Sequence, residues 1–167
     1  MIDLPSFYEF DVDEEFVSFF EKKMEYYKEV DFLMQKGSTA TYNGHQTSNI
    51  LNLNEKDVNK KLTSLRERLE RKCGVKLEYH WVHLIEYEEG GNQSEHRHDH
   101  NEDYSVIVYL NSCDDGSTYF VLNKERGVVL ETFPIRSRCV MFSSSILHGC
   151  HPTSSGKKIL VLGLKLV

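Results

Sequence analysis

No stretch of this chain approaches the ~20 consecutive apolar residues that a membrane-spanning helix requires. A lysine- or arginine-rich stripe is missing too. Formal net charge is −6 over 167 residues, which disfavours a large duplex-binding surface, so nucleic acid is not an expected partner. The four cysteines, at positions 73, 113, 139 and 150, form no CxxC pair. Neither a zinc knuckle nor a small disulfide framework is indicated, and they read as reduced, mostly buried thiols. The opening MIDLPSFYEF has no basic n-region and no apolar h-region and does not read as a signal peptide. Internal repeats, low-complexity tracts and linkers are absent. The expectation is a soluble, cytoplasmic protein with no membrane partner, built as a single domain over residues 1–167. Oligomeric state is not legible.

What is present is ordinary for a globular core: 40% hydrophobic residues and 11% aromatics. Two stripes in the first half have helical spacing. Phe16, Phe20, Met24 and Tyr27 follow the acidic start DVDEE, where carboxylates suit a helix N-terminus. Val58, Leu62, Leu65 and Leu69 form the second stripe, with Asn54 as N-cap and Gly74 as stop. Both read as faces packed on a core, so residues 1–75 are expected to be a helical support region. Between them, QKGSTATYNGHQTSN reads as a polar loop able to cover a cleft.

From residue 76 the pattern changes. KLEYHWVHLIEY, YSVIVYLN, STYFVL, GVVLETF, RCVMFSS and KKILVLGLKL are β-branched and aromatic runs separated by Gly, Asn, Asp and Ser turns. Six short strands after two helices predict an α+β, mainly β fold. Its core is a small antiparallel sandwich or barrel over 76–167, with the helices on one outer face. Alternate residues of each strand then point inward.

Histidine is the residue type that concentrates. Of eight, three lie at 96, 98 and 100, and two more at 148 and 151. Imidazole is the commonest protein ligand for iron, zinc, copper and nickel. An HxH pair at a strand end places two side chains on one face, and a third histidine from a distant strand completes a facial set with open positions.

Four segments, in order, carry a resemblance to the Fe(II)- and 2-oxoglutarate-dependent oxygenases, in particular the small prolyl-hydroxylase-like and phage-type branch. YEEGGNQSEHRH resembles the family's tyrosine, glycine and first metal histidine, here Tyr87, Gly90 and His96. YSVIVYLN resembles the strand whose tyrosine, here Tyr109, binds the far carboxylate of 2-oxoglutarate. DDGSTYF is similar to a turn and strand of the family. FPIRSRCVMFSSSILHGCHPTSSGKK resembles the stretch leading to the distal histidine, His148, and to a basic residue ten positions later, Lys158. The resemblance implies a double-stranded β-helix (a jelly-roll or cupin-like barrel). It also implies Fe(II), 2-oxoglutarate and O2 as cofactor and cosubstrates, and hydroxylation of a substrate, a small molecule or a protein side chain, that the sequence does not identify.

The family pattern has an acid two residues after the first histidine. Here position 98 is histidine and the acid is Asp99. Three solutions compete: His98 binds, giving a three-histidine site; Asp99 swings in through a bulge; or the register slides so that His98 and His100, or His100 and Glu102, do the work. The order of preference is His98, Asp99, Glu102, with His100 and His151 exposed or behind the ligands. Strand phase extends the mapping. If Tyr109 points inward, so do Ser105 and Ile107; if Lys158 points inward, so do Leu160 and Leu162; and Cys150 lines the same pocket.

Two rivals remain. The run GGNQSEHRHDHNE also resembles the first motif of a metal-binding cupin, which would use His96, His98, Glu102 and a later histidine without 2-oxoglutarate. The segment PIRSRC lacks the glycine and histidine of the second cupin motif. A catalytically inactive barrel used for binding is the other rival.

Overall fold

The structure is a computed structural model and describes residues 7–30, 34–36, 41–98 and 101–167. Its elements run β1 (Phe7–Asp11), α1 (Glu14–Glu29), β2 (Met34–Lys36), β3 (Thr41–Thr47), a 3-10 turn (Ile50–Leu53) and α2 (Lys56–Cys73). Then follow β4 (Leu77–His96), β5 (Tyr104–Tyr109), β6 (Thr118–Asn123), β7 (Val128–Thr132), β8 (Arg138–Ser143), β9 (Leu147–Cys150) and β10 (Lys157–Leu166).

Every strand pairing is antiparallel. The hydrogen-bonded order is β1-β8-β5-β10-β4-β9-β6-β7, with β3 added along β4 and β2 on β3. Strand β4 is the hinge of this arrangement. Residues 77–87 pair with β10, whereas Gln93 and His96 pair with Cys150 and His148 of β9. One long strand therefore serves two sheets: β1-β8-β5-β10-β4 on one side and β4-β9-β6-β7 on the other. The turn-over falls at Gly90, whose φ of 76° is readily adopted only without a β-carbon. Thr153 clamps it: its carbonyl accepts from Gly90 N–H at 2.7 Å and its own N–H donates to Gly91 at 3.1 Å. This curled antiparallel arrangement is the expected double-stranded β-helix.

Helix α1 starts where the acidic run placed it: the Asp13 carboxylate accepts from Phe16 N–H at 2.7 Å. Both predicted stripes are buried. Phe20, Met24, Leu62 and Leu69 share one core with Val106, Val108, Leu160 and Leu162, which all point to the outer face of the larger sheet. The inner face carries a second core of Ile85, Tyr87, Ile107, Tyr109, Phe142 and Ile159.

Three expectations are corrected. Asn54 does not cap α2; it sits at φ 51° as the left-handed end of the 3-10 turn, and Glu55 takes the cap position without a side-chain bond. Gly74 does end the helix, at φ 74°, its N–H reaching Glu70 at 2.8 Å. Residues 1–75 are not only helical. Strand β1 extends the larger sheet along β8, and β3 extends it along β4. The segment read as a covering loop is thus strand over 34–36 and 41–47, while 37–40 lie outside the described residues. Strand β9 also escaped the sequence pattern, because four residues, LHGC, carry too little alternation to register.

Candidate metal and cosubstrate site

The three histidines converge by strand pairing. His96 at the end of β4 is the register partner of His148 on β9. His98 lies just past the strand end, anchored by its N–H to the Ser144 carbonyl at 2.9 Å. Ser144 is itself buried and meets Ser105 Oγ at 3.2 Å. One nitrogen from each imidazole lies within 4.8 Å of the others, with ring centroids 4.3 Å apart for His96 and His148 and 4.7 Å for His96 and His98.

Orientation is set from behind. His96 Nδ1 lies 2.8 Å from the Ser94 carbonyl and His148 Nδ1 lies 2.9 Å from that of Ile146. A carbonyl can only accept, so each Nδ1 carries the proton and each Nε2 keeps its lone pair. Burial, reinforced by the neighbouring His96, pushes the pKa of His148 down to about 3, and burial lowers that of His96. Both are neutral bases near pH 7, which is the ligating form.

Beside the cluster is a cavity of about 280 Å³, whose walls include Ile107, Phe142, Cys150, Thr118, Tyr87 and Lys157. Lys157 is 1% exposed. Its ammonium donates to the Gly116 carbonyl at 2.7 Å and lies 4.6 Å from the centre of the Tyr87 ring. Among the described residues no carboxylate pairs with it. The Tyr87 hydroxyl is fully buried and, among the described residues, meets no nitrogen or oxygen partner; the Cys150 thiol is its polar neighbour. Burial, with the Cys150 thiol beside it, raises the Tyr87 pKa and keeps the phenol protonated. A buried cation without a counter-ion next to an unsatisfied hydroxyl donor is a costly arrangement that an anion entering the cavity relieves.

The predicted site residues divide clearly. His96, His98 and His148 come together, and Tyr87, Ser105, Ile107 and Cys150 line the cavity. Tyr109 is buried one layer behind: its hydroxyl is 2.6 Å from Thr118 Oγ1, and it is Thr118 that reaches the cavity. Lys158 is misplaced. It points to the outer face, where its ammonium meets Glu25 on α1 at 2.9 Å and Glu86 at 3.8 Å. Leu160 and Leu162 follow it into the helix-side core. The inward phase belongs to Lys157, Ile159 and Val161. Asp99 and His100 lie outside the described residues. Glu102 is close but behind, its carboxylate 3.3 Å from His98 Nδ1. His151 is exposed, resting on Tyr119 and 3.4 Å from Glu131.

Lys157, Thr118 and Trp81 were missed. The signal for Lys157 existed in the pairing: Tyr87 faces Lys157 and Tyr109 faces Ile159 across the ladder, and directly opposed residues share a face. Both phases of KKILVLGLKL are apolar, so the strand alone does not decide between them.

No family model matches the sequence, and no curated protein matches it. Solved structures do match. A prolyl hydroxylase from Trichoplax adhaerens, in complex with a hypoxia inducible factor oxygen degradation domain peptide fragment, superposes with a TM-score of 0.75 at 15% identity. The match covers 96% of this chain and 83% of that one. The viral collagen prolyl hydroxylase of Paramecium bursaria chlorella virus 1, as its 2OG complex, gives 0.70 at 14% identity over 98% and 97%. HygX from Streptomyces hygroscopicus, with nickel, 2-oxoglutarate and hygromycin B bound, gives 0.68 at 13% identity over 98% and 84%. At such identities the likeness shows the fold. Among the described residues no helix is long and apolar enough to cross a membrane.

Proposed function

We propose that this chain is a non-haem Fe(II)- and 2-oxoglutarate-dependent dioxygenase of the prolyl-hydroxylase-like kind. One observation carries the reading: three imidazoles converge beside a cavity that, among the described residues, also holds a buried cation without a carboxylate partner and a buried hydroxyl without a nitrogen or oxygen partner. A metal that prefers nitrogen ligands fits the first part, and a dicarboxylate fits the second.

His96, His98 and His148 would hold the metal, leaving positions open for exogenous ligands. Lys157 and Tyr87 would take the far carboxylate of 2-oxoglutarate, the role that the sequence resemblance gave to Lys158. Tyr109 acts through Thr118, fixing the hydroxyl that faces the cavity. With 2-oxoglutarate and O2, bound Fe(II) supplies oxidation of a substrate C–H bond, with succinate and CO2 released. The chain supplies orientation and a dry wall: Ile107, Phe142 and Ile159 keep water from the cavity side of the histidines. The similar proteins are seen with a peptide fragment and with hygromycin B bound, so both protein side chains and small molecules fit the reading.

The test is anaerobic Fe(II) titration followed by succinate release from labelled 2-oxoglutarate. Stoichiometric iron and 2-oxoglutarate-dependent succinate are expected. Metal retention without 2-oxoglutarate binding would leave the cupin, and neither would leave a binding barrel.

A further inference from the structure

The position that carries an acid in the family pattern is His98, and a carboxylate stands directly behind it. Glu102 lies in the turn before β5 with its side chain 4% exposed; its Oε1 is 3.3 Å from His98 Nδ1 and, among the described residues, accepts no hydrogen bond. Its other oxygen accepts from the Trp81 indole N–H at 2.6 Å. That indole lies against the β10 backbone at Gly163, the register partner of Trp81. A β-carbon at residue 163 would collide with the ring, so glycine there is what lets the indole reach Glu102. His96 and His148 direct Nδ1 at peptide carbonyls; among the described residues, Nδ1 of His98 faces a carboxylate oxygen instead.

Building on the proposed metal site, we infer that Glu102 is a positioning residue for His98. With a metal on Nε2, the otherwise unsatisfied Oε1 would accept from Nδ1–H, fix that tautomer and hold Nε2 toward the metal. It also places, one hydrogen bond behind the ligands, the negative charge that an all-histidine set lacks. Carboxylates behind ligating imidazoles raise ligand basicity in this way. Gly163 and Trp81 hold Glu102 in place, so the chain Gly163–Trp81–Glu102–His98 runs from the far strand to the metal position.

Co(II) titration of the wild type and of Glu102→Gln, followed by visible absorption, reads this directly. Glu102→Gln should weaken Co(II) binding by about 10- to 100-fold and shift the ligand-field bands, with the thermal midpoint of the metal-free protein little changed. Trp81→Phe, which keeps a ring but removes the donor, should weaken binding in the same direction by less. Wild-type affinity and spectrum in Glu102→Gln would overturn the inference. So would a loss as complete as that in His98→Ala, which would make Glu102 a ligand itself. If Glu102→Gln fails to fold, unchanged Co(II) binding in Trp81→Phe overturns it instead. Absence of Co(II) binding by the wild type would sink the metal-site reading, a failure distinct from any of these.

Discussion

Strands β5 and β10 each show two faces, and alternate residues of the same strands lead different lives. On the outer face Val106, Val108, Leu160 and Leu162 pack under α1 and α2 in one apolar core. On the inner face Ile107 and Ile159 share their layer with Lys157, Tyr87 and the histidine cluster. One face is filled to exclude water, and the other keeps a cavity with unsatisfied donors. The contrast shows how a β-helix separates stability from chemistry: the period of two lets one strand serve both, and a slip of one residue exchanges them. Lys157 and Lys158 are that slip made visible, one ammonium buried beside Tyr87 and its neighbour paired with Glu25 at the surface.

The sharpest way to break the contrast is on the inner face. His148→Ala should take Fe(II) binding below detection in an anaerobic titration, because it removes the most buried of the three imidazoles. Iron content unchanged from wild type would move the metal elsewhere. On the outer face, Leu160→Ala should cost about 2–5 kcal/mol in urea unfolding and leave metal binding by the folded protein intact. A stability cost below about 1 kcal/mol would mean that this face is not the packed core described.

The paired lysines sharpen the comparison further. Lys157→Ala should weaken 2-oxoglutarate binding by about 10- to 150-fold, the equivalent of about 1.5–3 kcal/mol for a charge-assisted hydrogen bond, with Fe(II) affinity retained. Lys158→Ala should change stability by less than about 1 kcal/mol, as for a partly exposed ion pair, and leave 2-oxoglutarate affinity at the wild-type value. The opposite outcome for the pair would reverse the phase of β10.

Much of the site was legible before the fold. The spacing of Tyr87, Gly90 and His96, and the position of His148, followed from segments whose order matched a known pattern, and local sequence carries local geometry well. The helices were legible because both have one apolar stripe and polar flanks. Strands β1, β3 and β9 were not, since short segments such as FYEFD, at an edge, and LHGC, between β4 and β6, are strands only because neighbours offer their backbone. Glu102 was legible as a candidate but not as a partner, because its place behind His98 depends on Trp81, twenty-one positions earlier in the chain.

By itself the sequence determined which residue types were available and how far apart they stood: an HxH at one end of a strand, a histidine some fifty residues on, two adjacent lysines and six alternating runs. These are properties of covalent order and of side-chain period. The tertiary structure alone decided which lysine faces the cavity, that Tyr109 meets Thr118 and not the cavity, and that Glu102 stands behind His98. Each of those depends on strand register and on the contact of residues far apart in the chain. In a strand apolar on both faces, only the pairing partner can say which side is in.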